Sequence, residues 1–138
     1  MKQKPKSPAR VPAAGHNARI EEAFQLRFTP DAAADIHTLD GSVRNQLRRV
    51  LEKKLAVNPE GYGLPLRGPL ANFWKHEFAN HRVIYRIYPQ PHVVVICAVG
   101  IRKQGDAADI YRQLESVAKS GRLAEQLASV LKKILPKT

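Results

Sequence analysis

Apolar and polar residues alternate through Phe24-Gln25-Leu26-Arg27-Phe28, the pattern of a strand with one buried face. Thr29-Pro30-Asp31 then reads as an N-cap, a proline in the first helical turn and an acid on the positive end of the helix dipole. A short helix is therefore expected over 32–39. Asp40-Gly41 breaks it, and Ser42 is placed to cap a second helix over 43–57. In that helix Val43, Leu47, Val50, Leu51 and Leu55 fall on one stripe, before Asn58-Pro59 ends it. Residues 60–69, rich in Gly and Pro, read as a loop. Three strands follow over 73–78, 82–88 and 92–99. Ala79-Asn80-His81 and Pro89-Gln90-Pro91 leave room only for short turns, so an antiparallel meander is the simplest connection. Val93 to Val99 is apolar on both faces, as in a central strand. Two helical patterns close the chain. One covers 107–119, with Ile110, Leu114 and Val117 in phase, and the other covers 122–135, with Leu123, Leu127, Val130, Leu131 and Ile134 in phase. The expected fold is α+β: a small antiparallel sheet, made of the N-terminal strand and the meander, with helices against one face. The last helix must have its apolar stripe covered, and the default cover is the domain itself.

Composition narrows the function classes. The chain has 138 residues, enough for one domain, with 23 Lys+Arg against 12 Asp+Glu and a formal net charge of +11. The excess is concentrated at the ends. Lys2, Lys4, Lys6, Arg10 and Arg19 share the first twenty residues with no acid, and Pro5, Pro8 and Pro12 lie among them. This reads as a disordered basic tail over 1–21, followed by a domain over 22–120 and an additional amphipathic helix over 121–138. Such a balance points to acidic partners. The single cysteine, Cys97, excludes an internal disulfide framework. No apolar run approaches the ~20 residues of a membrane helix, and no apolar segment follows the basic N-terminus as in a secretory signal. A cytoplasmic location with no membrane partner is expected. There is no glycine-rich nucleotide fingerprint, and His16, His37, His76, His81 and His92 lack metal-ligand spacing, so neither cofactor nor metal is expected.

What chemistry there is lies on the strands. Alternation puts Lys75 and Glu77 on one face of the first meander strand and Trp74, His76 and Phe78 on the other. Short turns would let Lys75, Arg82 and Arg102 converge on one side of the sheet. Cations held together repel unless an anion joins them, so the arrangement suits a phosphate. The plainer alternative is three solvated charges paired with Glu77, Asp106 and Asp109, and spacing alone favours it.

Leu66-Arg67-Gly68-Pro69-Leu70, Phe73-Trp74-Lys75, His81-Arg82-Val83-Ile84-Tyr85-Arg86-Ile87, Ala98-Val99-Gly100-Ile101-Arg102 and Asp109-Ile110-Tyr111 occur in that order. In order and spacing, over roughly 24–111, the chain resembles the RelE/ParE superfamily of toxins. The resemblance implies a toxin neutralised by a cognate, acidic antitoxin encoded beside it. Two activities are implied by the two branches. RelE-type members cut messenger RNA in the ribosomal A site, whereas ParE-type members inhibit DNA gyrase. A non-enzymatic basic module that binds antitoxin or nucleic acid is a third alternative. On the RelE-type reading, Lys75 matches a catalytic lysine, Arg82 and Arg102 match phosphate-handling arginines, and Tyr111 matches the tyrosine that positions the substrate. Arg67, His81 and Lys103 join them as substrate-binding residues. Glu77 stands where RelE-type proteins have a second lysine, and the 103–110 segment is longer than theirs.

A metal-free ribonuclease uses the substrate's own 2′-hydroxyl as nucleophile. It needs a base for that hydroxyl, cations for the charge gained at phosphorus, and an acid for the departing 5′ oxygen. Glu77 or His81 is an ordinary base near neutral pH, and Arg82 and Arg102 are natural clamps for the phosphorane. Lys75 serves as a base only where neighbouring arginines depress its pKa.

Overall fold

The computed structural model describes residues 23–101, 103 and 109–134. The basic tail, Arg102, residues 104–108 and the last four residues lie outside it. Five strands form one sheet: β1 (Gln25–Phe28), β2 (Leu64–Pro65), β3 (Trp74–Phe78), β4 (His81–Tyr88) and β5 (Val93–Ile101), in the order β1-β5-β4-β3-β2. Helices α1 (Pro30–His37) and α2 (Gly41–Val50) follow β1, and α3 (Ile110–Lys119) and α4 (Arg122–Ile134) follow β5.

The meander β3-β4-β5 is antiparallel, as expected, but β1 joins β5 in parallel, from Gln25 opposite Val93 to Phe28 opposite Ile96. The sheet is therefore mixed rather than antiparallel. The physical reason is connectivity. The α1–α2 excursion returns the chain to the end of the sheet where β1 began, so β3 and, after two reversals, β5 run with β1. The two-residue strand β2 pairs with β3 inside the segment expected to be loop.

Helices cover both faces, not one. Leu47, Val50, Leu51 and Leu55 pack with Val83, Tyr85, Val94, Ile96 and Val99 on one face. Ile110, Leu114, Leu123, Leu127 and Val130 pack with Ile84, Val93, Val95, Cys97 and Ala98 on the other. A strand apolar on both sides leaves half its side chains in water unless each face has a cover. The α4 stripe is buried against the domain itself, as expected.

Local signals set the helix ends. Thr29 Oγ1 accepts the Ala32 N–H at 3.1 Å with Pro30 at the first helical position, and the hydroxyl also donates to the Cys97 carbonyl at 3.3 Å. Asp40, rather than Ser42, caps α2: its carboxylate accepts the Val43 N–H at 3.0 Å and the Ser42 hydroxyl at 2.9 Å. Those bonds hold the Asp40 carboxyl below its usual pKa. Beyond Val50 the helix widens into a π turn over Leu51–Leu55, where the Ala56 N–H reaches back to the Leu51 carbonyl. Asp35 on α1 crosses to the sheet and accepts the Val99 N–H at 3.0 Å, and burial raises its pKa. Tyr85 is fully buried, its hydroxyl donating to the Pro59 carbonyl at 2.7 Å. Gly63 passes so close to that hydroxyl that a Cβ there would collide with it. No described helix is long and apolar enough to cross a membrane.

Candidate active site

Register builds the centre of the site. Glu77 pairs with Arg82 and Lys75 pairs with Ile84 across β3 and β4. Ile84 belongs to the core beneath α3 and α4, so Lys75, Glu77 and Arg82 stand on that face. The Glu77 carboxylate joins the two cations, 3.3 Å from Lys75 Nζ and 3.5 Å from an Arg82 Nη. Both cationic side chains are 21 % exposed and Glu77 is 49 % exposed, so the anion sits on the solvent side of a partly desolvated cationic pair. Arg82 Nε is buried with no hydrogen-bond partner among the described residues. A buried guanidinium N–H without a partner is costly, and the cost is relieved when a phosphate oxygen or water reaches it.

The other end of the site comes from α3. Asp109 caps that helix, accepting the Arg112 N–H at 3.3 Å with one carboxylate oxygen and the Lys103 N–H at 2.7 Å with the other. The cap ties the chain leaving β5 to the start of α3, which sets Tyr111 under the strand face. Lys75 Nζ lies 5.9 Å from the centre of the Tyr111 ring, within cation–π range. Leu66, Arg67, Leu70, Lys75 and Tyr111 line a cavity of about 230 Å³, with Asp109 and Glu115 on its α3 side. Arg67 reaches this wall from the turn Gly68–Leu70, where Gly68 has φ +65°, a conformation glycine adopts without strain.

Lys75, Glu77 and Arg82 thus form one cluster, and Lys75 links it to Tyr111 and Arg67. Lys103 is exposed at the rim, joined to the site through its backbone bond to Asp109. His81 is not part of the cluster. It alternates with Arg82 and stacks on Phe78 with ring centroids 5.5 Å apart, which puts its ring on the α1–α2 face. Arg102 lies outside the described residues, so its convergence with Arg82 rests on sequence alone. Cys97 is no nucleophile here: burial pushes its thiol up to about 12. Glu115 escaped the sequence reading. The signal was its place one helical turn after Tyr111, which puts both on one face of α3. Among the described residues no group of three or more His, Cys, Asp or Glu side chains is placed to hold a metal ion.

Known proteins share this arrangement of elements. The family model described as ParE toxin of type II toxin–antitoxin system, parDE, matches residues 26–107. Toxin RelG of Mycobacterium tuberculosis is 32% identical over 90 residues, which are 65% of this chain and 98% of that protein. The crystal structure of the toxin–antitoxin complex RelBE2 from Mycobacterium tuberculosis matches with a TM-score of 0.56 at 30% identity, covering 58% of this chain and 99% of the other. The intact E. coli RelBE toxin–antitoxin complex matches with a TM-score of 0.50 at 26% identity, covering 59% and 100%. The matched family segment ends before α3, so Tyr111, Glu115 and α4 lie beyond it. By a match to well over half its length and a relative matched almost end to end, the chain belongs to the ParE toxin family of type II toxin–antitoxin systems, within the RelE/ParE superfamily.

Proposed function

We propose that this toxin is a ribosome-dependent endoribonuclease that cuts messenger RNA without a metal, and that a cognate acidic antitoxin neutralises it in the cytoplasm. The observation that carries the reading is the Lys75-Glu77-Arg82 cluster beside the Tyr111 cavity. Glu77 is the base of choice, since His81 faces the other side of the sheet. In the reaction Glu77 takes the proton of a ribose 2′-hydroxyl, and that oxygen bonds to the adjacent phosphorus. Arg82 and Lys75 hold the added charge on the phosphoryl oxygens. The bond to the 5′ oxygen then breaks, leaving a 2′,3′-cyclic phosphate, and the departing oxygen takes a proton from Arg102 or from water. Tyr111 and Arg67 orient the nucleotide. The basic excess, +11 in all, favours both the ribosomal RNA environment and an acidic antitoxin segment that folds on contact.

A second reading is inhibition of DNA gyrase, favoured by the ParE family match and by Glu77, which partly neutralises the cations. Inducing the toxin in cells separates the two. Primer extension should map cuts within translated codons, and co-expression of the small protein encoded beside it should abolish them. Intact messages together with gyrase-dependent DNA breaks would establish the second reading instead.

A further inference from the structure

Positive charge in the folded domain is gathered on one stretch of chain. Residues 41–57, α2 and the π turn that extends it, carry Arg44, Arg48, Arg49, Lys53 and Lys54. Glu52 is the one acid among them, so the net charge of the stretch is +4. Among the described residues none of the five cations has an ion-pair partner. Like charges one helical turn apart, as Arg44 and Arg48 or Arg49 and Lys53, oppose helix formation, and an anion between them removes the penalty. The five divide into two groups. Arg44 and Arg48 turn toward β1, whereas Arg49, Lys53 and Lys54 line a separate cavity of about 410 Å³ between α2 and the β3–β4 turn. In a regular α-helix Lys54 would stand about 140° round from Arg49. The wider π turn brings it back toward the same wall, and π turns recur at functional sites. No acid lines this cavity, and Val50 and Phe78 give it an apolar floor. Tyr62 stands beyond Lys54, its ring 46 % exposed with Lys54 Nζ 5.7 Å from the ring centre. Val50 and Phe78 belong to the α1–α2 face, so the cavity lies across the sheet from Lys75, Glu77 and Arg82.

We propose that this cavity binds a free nucleoside di- or triphosphate, its phosphates held by Arg49, Lys53 and Lys54 and its base stacked on Tyr62. The volume falls in the ~300–1,000 Å³ range of small-molecule sites. Three cations on one cavity call for phosphates in tandem, since a single phosphate leaves part of that charge unmatched. Arg49 supplies a planar fork for two phosphoryl oxygens, and the lysines act as point charges. The exposed Tyr62 ring offers a face that any base can stack on, so the site reads phosphate number more sharply than base identity. A nucleic-acid backbone would instead spread along the helix and engage Arg44 and Arg48 equally. The site is independent of the ribonuclease reading, because no residue is shared with the Lys75-Glu77-Arg82 cluster.

The test is calorimetric titration of the full chain, without magnesium and at physiological salt, with ATP, ADP, AMP, adenosine and tripolyphosphate. ATP and ADP should bind at one site, AMP should bind at least about tenfold more weakly than ADP, and adenosine should not bind. Tripolyphosphate should bind more weakly than ATP, and Y62L should bring the two to equal affinity. The double variant R49Q/K53Q should weaken ATP by about 10²-fold, one power of ten for each charged contact removed. R82Q should leave ATP binding unchanged, which separates this cavity from the cluster on the other face. All the residues changed in the cavity and at its rim are exposed, and Y62L tests the site without touching its charge. ATP binding that survives R49Q/K53Q, that falls with R82Q, or that is no tighter than tripolyphosphate in the native chain would overturn the proposal. So would duplex RNA or DNA binding through Arg49 and Lys53 with no measurable affinity for ATP.

Discussion

Glu77 is the residue on which the proposed chemistry turns, because its one carboxylate lies 3.3 and 3.5 Å from two cations. If it is the base, E77Q keeps the shape and the hydrogen-bonding oxygen but removes the proton acceptor. Message cleavage should then fall about 10²–10⁴-fold, as for loss of a general base, while phosphate affinity rises because the cations lose their internal anion. Single-turnover cleavage rates and RNA binding read on the same variant check both halves. Undiminished cleavage would reduce Glu77 to a partner of Lys75. Part of this site was legible beforehand. The alternation along β3 put Lys75 and Glu77 on one face, and Arg82 follows from a hairpin of fixed register. His81 was not separable from Arg82 in the sequence, since which of two neighbours faces a given helix layer depends on where the turn falls. Glu115 was passed over because its place one helical turn after Tyr111 gains meaning only when the loop carrying Arg67 folds against the same wall.

At the level of elements, the caps and stripes were the legible part. Thr29-Pro30 marked the start of α1 because both residues act locally, whereas Asp40 and Ser42 are adjacent capping candidates that only backbone geometry separates. The parallel pairing of β1 was not legible, since its partner lies nearly seventy residues away and alternation does not encode direction. T29A removes the α1 cap and the bond to the Cys97 carbonyl, so chemical denaturation should show a loss of ~1–2 kcal/mol. L127A opens a cavity between α4 and the sheet and should lose about 2–5 kcal/mol. A loss near zero would mean that α4 is not part of the cooperative core. Both variants should keep an unaltered ratio of cleavage to folded protein, because neither residue lines the site.

Across the whole molecule, the sheet is a partition. One face carries the α2 stripe and the other carries α3, α4 and the charged cluster, while α1 also reaches α4 through the Asp31–Arg122 ion pair and the Asp31 N–H bond to Gln126. Asp35 tests the junction between α1 and β5. Burial raises its pKa above 3.8, so its ionised form costs stability in the fold. The fold is therefore relatively more stable below that raised pKa and loses the increment as pH rises through it. D35N keeps an acceptor for the Val99 N–H and removes the charge. Its melting temperature should exceed that of the native chain at neutral pH, by the equivalent of less than about 1 kcal/mol because the carboxyl is half open to solvent. The difference should vanish in acid. A variant less stable at neutral pH would mean that the charge on Asp35 strengthens its bond to Val99 by more than burial costs.

The most direct measurement uses purified toxin and ribosomes programmed with a defined message, with the cut site mapped by primer extension. The native chain should cut within the A-site codon and leave a 2′,3′-cyclic phosphate, with or without chelator. R82A should fold normally, bind antitoxin and cut roughly 10²–10³-fold more slowly, the loss expected when one transition-state donor is removed. An uncut message with native toxin, or equal cutting by R82A, would contradict the assignment of the Lys75-Glu77-Arg82 cluster as a ribonuclease centre.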